Sequence, residues 1–234
     1  GPSGTDHQIL YPMYDTLTSF DPATLEPLPG LAESWEFVEP TKLVLQLREG
    51  VIFHDGSPLD ADAVVNSLKR FQDMGAHADL ASVESIEATG DLEVTLSLAQ
   101  PDSSLVLVLA DRAGMVVPPS ATDAGEAFAE SPIGTGPFQF VEYLPGNKVV
   151  YERFEDYWNP DEPKLDRIEM LVITDRKAAA NALQSGQVDF ADGLDSADVG
   201  QLEDRENITV RADVGLWFDM VYFNLGQAPL DDAL

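Results

Sequence analysis

Cysteine is absent from this 234-residue sequence and basic residues are scarce: 13 Lys and Arg stand against 42 Asp and Glu, with 3 His. The first absence excludes disulfide staples and Cys-ligated zinc or iron–sulfur sites, although it names no compartment, since many exported proteins also lack cysteine. The second leaves a formal net charge of −29 and a pI near 4.1. Such a surface repels nucleic acid and anionic headgroups, whose binding depends on Lys and Arg neutralising phosphates, so nucleic-acid partners are excluded. No run of about 18 apolar residues occurs, and nothing here spans a membrane as a helix. Gly-x-Ser-x-Gly, a P-loop and the H-E-x-x-H spacing are missing too, and His7, His54 and His77 are too scattered for a metal site. Acid pairs of the glycosidase kind arise by chance in so acidic a chain. The reading is not an enzyme, with no cofactor and no metal.

What remains is ample material for a core. With 44% hydrophobic residues, a chain of this length buries roughly 70% or more of its unfolded surface, enough for one large or two small domains. The acidic residues are scattered, as in Glu26, Glu33, Glu36, Glu39, Asp55, Asp60 and Asp62. That pattern describes a solvated coat, suited to high salt or to solubility, more than a cation site. Gly1-Pro2-Ser3-Gly4 reads as a protease scar or a native loop, any export signal is expected to have been removed or to lie outside this sequence, and Asp231-Asp232-Ala233-Leu234 reads as the opening turn of a helix.

The chain is organised around Ile133-Gly134-Thr135-Gly136-Pro137-Phe138-Gln139-Phe140. Two glycines around a threonine, closed by proline, make a rigid corner. Phe138, Phe140, Val149 and Tyr151 alternate on either side of Pro145-Gly146-Asn147, which predicts a hairpin. Lacking a helix-opening lysine, Gly134-Thr135-Gly136 is a structural joint and not a phosphate cradle, so Thr135→Ala is expected to lower stability more than affinity. Upstream, residues 29–37 and 42–48 form a hairpin across Pro40-Thr41, with Leu43, Leu45 and Leu47 inward. A helix capped by Asp60 presents Val64, Val65, Leu68 and Phe71 and stops at Gly75. A second hairpin pairs 83–89 with 92–98 through Gly90-Asp91. The run Leu105 to Ala110 is a buried helix or strand.

Downstream, residues 168–173 read as a strand, Asp175 caps a helix with Ala178, Ala179, Ala182 and Leu183 on one side, Gly186 ends it, and Val188–Ala191 is a further short strand. This β-α-β order favours a parallel pair with a right-handed crossover. A helix over 196–202, a strand at 208–210 and a strand through Trp217 to Asn224 complete a mixed α/β and α+β chain. No internal repeat is present.

Six stretches carry a family resemblance: Pro29-Gly30-Leu31-Ala32-Glu33-Ser34-Trp35, Leu47 to Gly56, Pro132 to Phe138, Tyr157-Trp158, Gln184-Ser185-Gly186-Gln187-Val188-Asp189 and Tyr222-Phe223-Asn224. In this order they resemble the motifs of family 5 extracellular solute-binding proteins, the peptide, dipeptide and nickel receptors of ABC importers. The resemblance implies a periplasmic-binding-protein-like type II (cluster C) fold, a two-lobed clamp closing on a solute by hinge motion. It implies that 1–39 and 151–223 build the main sheet of the first lobe, 40–150 an extra subdomain, and 224–234 the start of the crossover. A complete member is much longer, so the chain is expected to be incomplete, holding most of the first lobe with the second absent.

By the same resemblance the protein captures a solute, a peptide by default, and hands it to ABC-transporter permease subunits. It works outside the cytoplasm, in the periplasm or at the outer face of the membrane, lipid-anchored or free. A sensory module using the same lobe is the alternative, as are oligosaccharide or metal-chelate cargoes, because fold does not fix function. The segments that face the cleft in similar proteins are here a loop holding Asp6, His7 and Gln8, and a strand holding Trp217, Phe218 and Asp219. An aromatic shelf beside a carboxylate suits a peptide or cationic solute, whereas Trp217 or Phe218 as simple core is the alternative. Arg112 is either a bidentate anchor for a ligand carboxylate or a solvated loop arginine.

Overall fold

Alternation of leucines decides the first sheet. A computed structural model of the chain describes residues 5–74, 79–121, 128, 130–203 and 205–211. In it β1 (Thr18–Phe20) pairs with β2 (Pro27–Pro29), and β3 (Ala32–Glu39), β4 (Lys42–Leu47), β5 (Val83–Gly90) and β6 (Glu93–Leu98) form a four-stranded antiparallel sheet ordered β3-β4-β6-β5. Leu43, Leu45 and Leu47 are at most 1% exposed, while their neighbours in β4 are half-buried, the period of two that a sheet covered on one face imposes. Both predicted hairpins close at the expected turns, Glu39 opposite Lys42 and Gly90 opposite Glu93.

Helix α2 (Ala61–Asp73) lies against β5 and β6. The Asp60 carboxylate accepts from the Ala63 N–H at 2.8 Å, satisfying one of the donors a helix start leaves unpaired. Val64, Val65 and Leu68 are buried, and Phe71 packs on the same core. The predicted stop at Gly75 lies outside the described residues. The apolar run after β6 is a single helical turn, α3 (Leu105–Val108), leading to a 3-10 turn at Arg112–Gly114. Thr18 Oγ1 donates to the Val106 carbonyl at 2.5 Å, and the Leu17 N–H to the Gly114 carbonyl at 2.9 Å, so this segment is stitched to β1.

The glycine corner is a packing joint. A Cβ on Gly134 would stand 2.1 Å from the Met13 carbonyl oxygen. The Gly136 N–H donates to Met13 O at 2.8 Å, and the Phe138 N–H to Pro12 O at 2.9 Å. From the other side His54 grips the corner three times: its N–H donates to Gly134 O (2.9 Å), Nε2–H donates to Gly136 O (2.9 Å), and Nδ1 accepts from the Gly134 N–H (3.3 Å). Between them Thr135 is fully buried, and its hydroxyl has no partner among the described residues. Thr135→Val, which keeps the shape and removes the stranded hydroxyl, is therefore expected to leave stability unchanged or raise it by about 1 kcal/mol, while Thr135→Ala lowers it by a similar amount. Urea denaturation of the two variants checks the sign.

Past the corner, β7 (Phe138–Leu144), β8 (Lys148–Arg153) and β9 (Arg167–Leu171) form an antiparallel sheet turning at Gly146, φ 72°. Tyr151 is its buried centre, within a second core that includes Met13, Tyr14 and Phe138. The chain divides into two compact units, 1–172 and 173–234. In the second, α4 (Arg176–Ser185) is capped as expected: Asp175 accepts from the Ala178 N–H at 2.7 Å, and Gly186 ends the helix at φ 73°. Its inner face holds Ala180 and Ala182, whereas Ala178 is exposed. Helix α5 (Ser196–Leu202) also forms as expected.

Three expectations about strands are corrected. Val188–Ala191 and Ile208–Val210 form no ladder among the described residues, and β9 pairs antiparallel with β8 instead of parallel with 188–191. A strand needs a neighbour to satisfy its backbone groups, which a short apolar run cannot supply by itself. Phe190 at 80% exposure accordingly makes no core contact of the kind a sheet strand would give it. The strand expected through 217–224 lies outside the described residues.

Candidate functional site

Residues 5–10 form a helix, α1 (Thr5–Leu10), where the sequence suggested a loop at 6–8. Six residues are too few for an apolar period to declare itself, and so short a helix is held by tertiary contacts. Here the buried Tyr151 hydroxyl donates to the Ile9 carbonyl at 2.9 Å, anchoring α1 on β8. His7 then meets the chain after α3: its Nε2–H donates to Asp111 Oδ1 at 2.5 Å, and its ring stacks on Tyr11 with centroids 5.8 Å apart. Asp111 also accepts from the Arg112 N–H at 2.7 Å, which sets the first residue of the 3-10 turn. Burial chiefly, with the Asp111 charge adding to it, pushes the Tyr11 hydroxyl up, while Arg112 pulls it down.

The fold thus brings together two segments about a hundred residues apart, that of Gln8 and that of Arg112. Gln8 is exposed on α1 and Arg112 half-buried on its turn. Asp6 lies on the same helix, its side chain outside the description. Trp217, Phe218 and Asp219 fall outside the described residues, so no geometry joins them to the rest. The turn that carries Arg112 is tightly built: a Cβ on Gly114 would stand 1.8 Å from the Leu109 carbonyl oxygen.

Alongside lies a groove of about 480 Å³ that no single motif announces. At its floor Asp15, half-buried, accepts from the Tyr157 hydroxyl (3.0 Å) and from Trp158 Nε1–H (2.7 Å). Arg48 stacks over the Trp158 ring, 4.1 Å from its centroid, and donates to the Gly30 carbonyl at 3.2 Å. Although water reaches its edge, Asp15 is so closely surrounded that desolvation pushes its pKa up to about 6, against the two hydrogen bonds, which pull it down. Burial, then the charge of Asp15, raises the Tyr157 pKa. The signal within the sequence was the adjacent pair Tyr157-Trp158, since half-buried Tyr and Trp seek partners for their polar ends. The partner, 142 residues away, was not visible there.

His54 and Asp15 give stability opposite dependences on pH. Burial lowers the His54 pKa below 6.5, so the neutral ring's contribution is present above about pH 6.5 and is lost as pH falls through the folded value. For Asp15 the folded pKa is raised, so its desolvation cost is felt above about 6 and is relieved as pH falls towards 3.8. Unfolding free energy measured between pH 7 and 5 is expected to fall less in His54→Gln than in the wild type. Equal slopes would remove His54 from this role.

The match to "Bacterial extracellular solute-binding proteins, family 5 Middle" runs over residues 26–234, and the chain belongs to that family.

Among curated relatives, the glutathione-binding protein GsiB of Escherichia coli (strain K12) is 31% identical over 196 residues, 80% of this chain and 38% of that protein. GsiB of Pectobacterium atrosepticum is 30% identical over 225 residues, 94% of this chain and 44% of that one. The chain spans less than half the length of these relatives. Among solved structures, MoaA of A. tumefaciens R10 in complex with mannopinic acid has a TM-score of 0.86 at 25% identity, with 99% of this chain and 49% of that chain covered. The dipeptide binding protein from Pseudoalteromonas sp. SM9913 in complex with Met-Leu has a TM-score of 0.86 at 23% identity, covering 99% and 51%, and shows the fold alone. The fold is therefore a mixed α/β arrangement that superposes on part of larger periplasmic binding proteins. No helix among the described residues is long and apolar enough to cross a membrane.

Proposed function

We propose that this chain belongs to an extracytoplasmic binding protein that captures a solute, a peptide by default, and delivers it to ABC-transporter permease subunits. Membership of the family over residues 26–234 carries the reading. Relatives named for glutathione, itself a tripeptide, support the choice of peptide. In this proposal Asp6, Gln8, Arg112, Trp217, Phe218 and Asp219 are the cargo-binding residues, the Arg112 guanidinium pairing with a carboxylate. The division into a main sheet (1–39 and 151–223) and an extra subdomain (40–150), with 224–234 opening the crossover, belongs to the same proposal. The β3–β4 hairpin runs from the first of these segments into the second.

Thermal-shift measurements on the full-length protein test it, because a ligand that binds only the folded state raises the melting temperature by mass action. Di- and oligopeptides, glutathione, sugars and nickel chelates form the screen. A shift with a peptide is expected, lost or weakened about tenfold or more in Arg112→Ala, as for loss of a charge-assisted pair. A clear shift with a sugar and none with any peptide overturns the peptide reading.

A further inference from the structure

Five aromatic rings and two carboxylates meet in the groove over Asp15: Tyr11, Tyr14, Phe20, Tyr157 and Trp158, with Asp15 and Glu162. Both hydrogen bonds to Asp15 come from neutral donors. Among the described residues neither carboxylate forms an ion pair with Lys or Arg. Arg48 is spent on the Trp158 ring and the Gly30 carbonyl, and its pull on Asp15 is the smallest of the influences there. Glu162 adds a second negative charge. A desolvated carboxylate without an ion-pair partner carries a cost that a cation entering the groove removes.

The lining selects among cations. A hard metal ion asks for six or more oxygen ligands, or for several His and carboxylate groups. No set of three or more such side chains gathers among the described residues. Aromatic walls instead bury an apolar body and attract a cation through their ring faces. The volume is of the size that holds a small organic molecule, a few hundred Å³.

We propose that this groove is a binding site for a small organic ammonium ion, its charged head pairing with Asp15 and Glu162 and its apolar body lying between the aromatic walls. The site differs from the proposed cargo contacts at Gln8 and Arg112, with Tyr11 standing between the two. Binding requires the ionised carboxylate, so affinity falls as pH is lowered and Asp15 takes up its proton. Of the groups facing it, Glu162 opposes ionisation, Arg48 favours it, and Tyr157 and Trp158 stabilise the charged form through their hydrogen bonds. Tyr11, Tyr14 and Tyr157 all have raised hydroxyl pKa values and stay neutral over this range.

The test is calorimetric titration of the full-length protein with benzylamine, beside its uncharged counterpart benzyl alcohol. Benzylamine is expected to bind at about millimolar affinity or tighter at pH 7.5 and benzyl alcohol not to bind. Asp15→Asn is expected to weaken benzylamine roughly tenfold and Glu162→Gln a few-fold, as contacts to charged groups are lost. Lowering the pH to 5 is expected to weaken it in the wild type but not in Asp15→Asn. Arg112→Ala leaves benzylamine affinity unchanged, so loss of cargo binding and loss of this site are read separately. Equal binding of amine and alcohol, no binding of the amine, or full affinity in Asp15→Asn overturns the proposal. If Asp15→Asn does not fold, Glu162→Gln decides: it lies at the exposed rim, and undiminished affinity there overturns the pairing.

Discussion

Gly136→Ala is expected to lower the unfolding free energy by about 3 kcal/mol or more, the upper range for forcing an atom into a packed interior. The added Cβ would stand 2.5 Å from the Met13 carbonyl carbon and 2.7 Å from the Tyr14 nitrogen. Both are backbone atoms, so no rotamer change relieves the clash. Displacing them strains the hydrogen bonds of Gly136 and Phe138 to Met13 and Pro12, and moves the neighbouring Asp15. Gly146 supplies the contrast. Its φ of 72° is unfavourable for alanine, but nothing lies within 4 Å of a Cβ there, so Gly146→Ala is expected to cost only about 1 kcal/mol. Denaturant melts of both variants separate the effects, and a Gly136→Ala protein as stable as Gly146→Ala would show that the Met13 segment yields.

Tyr151→Ala should cost about 3–5 kcal/mol, as for other large aromatic truncations in a core. Tyr151 has no exposed surface, and burial pushes its hydroxyl pKa up to about 12. Tyr151→Phe is the more informative change. It keeps the ring but strands the Ile9 carbonyl, at a cost of about 1 kcal/mol, and releases one tether of α1. Since α1 carries Asp6 and Gln8, the proposed binding role requires that Tyr151→Phe weaken cargo affinity while the protein stays folded. Calorimetry beside a melting curve reads the two quantities. Unchanged affinity would detach α1 from the site.

Local physics made much of the fold legible. Leu43, Leu45 and Leu47 alternate because one face of β4 is covered, and a carboxylate at Asp60 or Asp175 marks a helix start because the first N–H groups of a helix need acceptors. Gly186 marks an end because its backbone turns left-handed. The β1–β2 ladder was not legible: its strands are three residues long, too short for a period to show, although Asp21 organises the turn by accepting from Ala23 and Thr24. Nor was the absence of a ladder at 188–191, since the local pattern of a strand does not say whether a neighbour is present.

The candidate site divides along the same line. Residue types and their order determined the acidic composition, most of the hairpins and helix caps, and the family, because the first three depend on composition or on neighbours a few positions apart and the last on six short motifs in sequence order. Only the tertiary structure decided that α1 and Arg112 share one place, that His54 clasps the glycine corner, and that Asp15 meets Tyr157 and Trp158 at the floor of a groove. Those pairings depend on contacts across 80 to 143 residues, and there the packing of two cores, not any local preference, selects the partner.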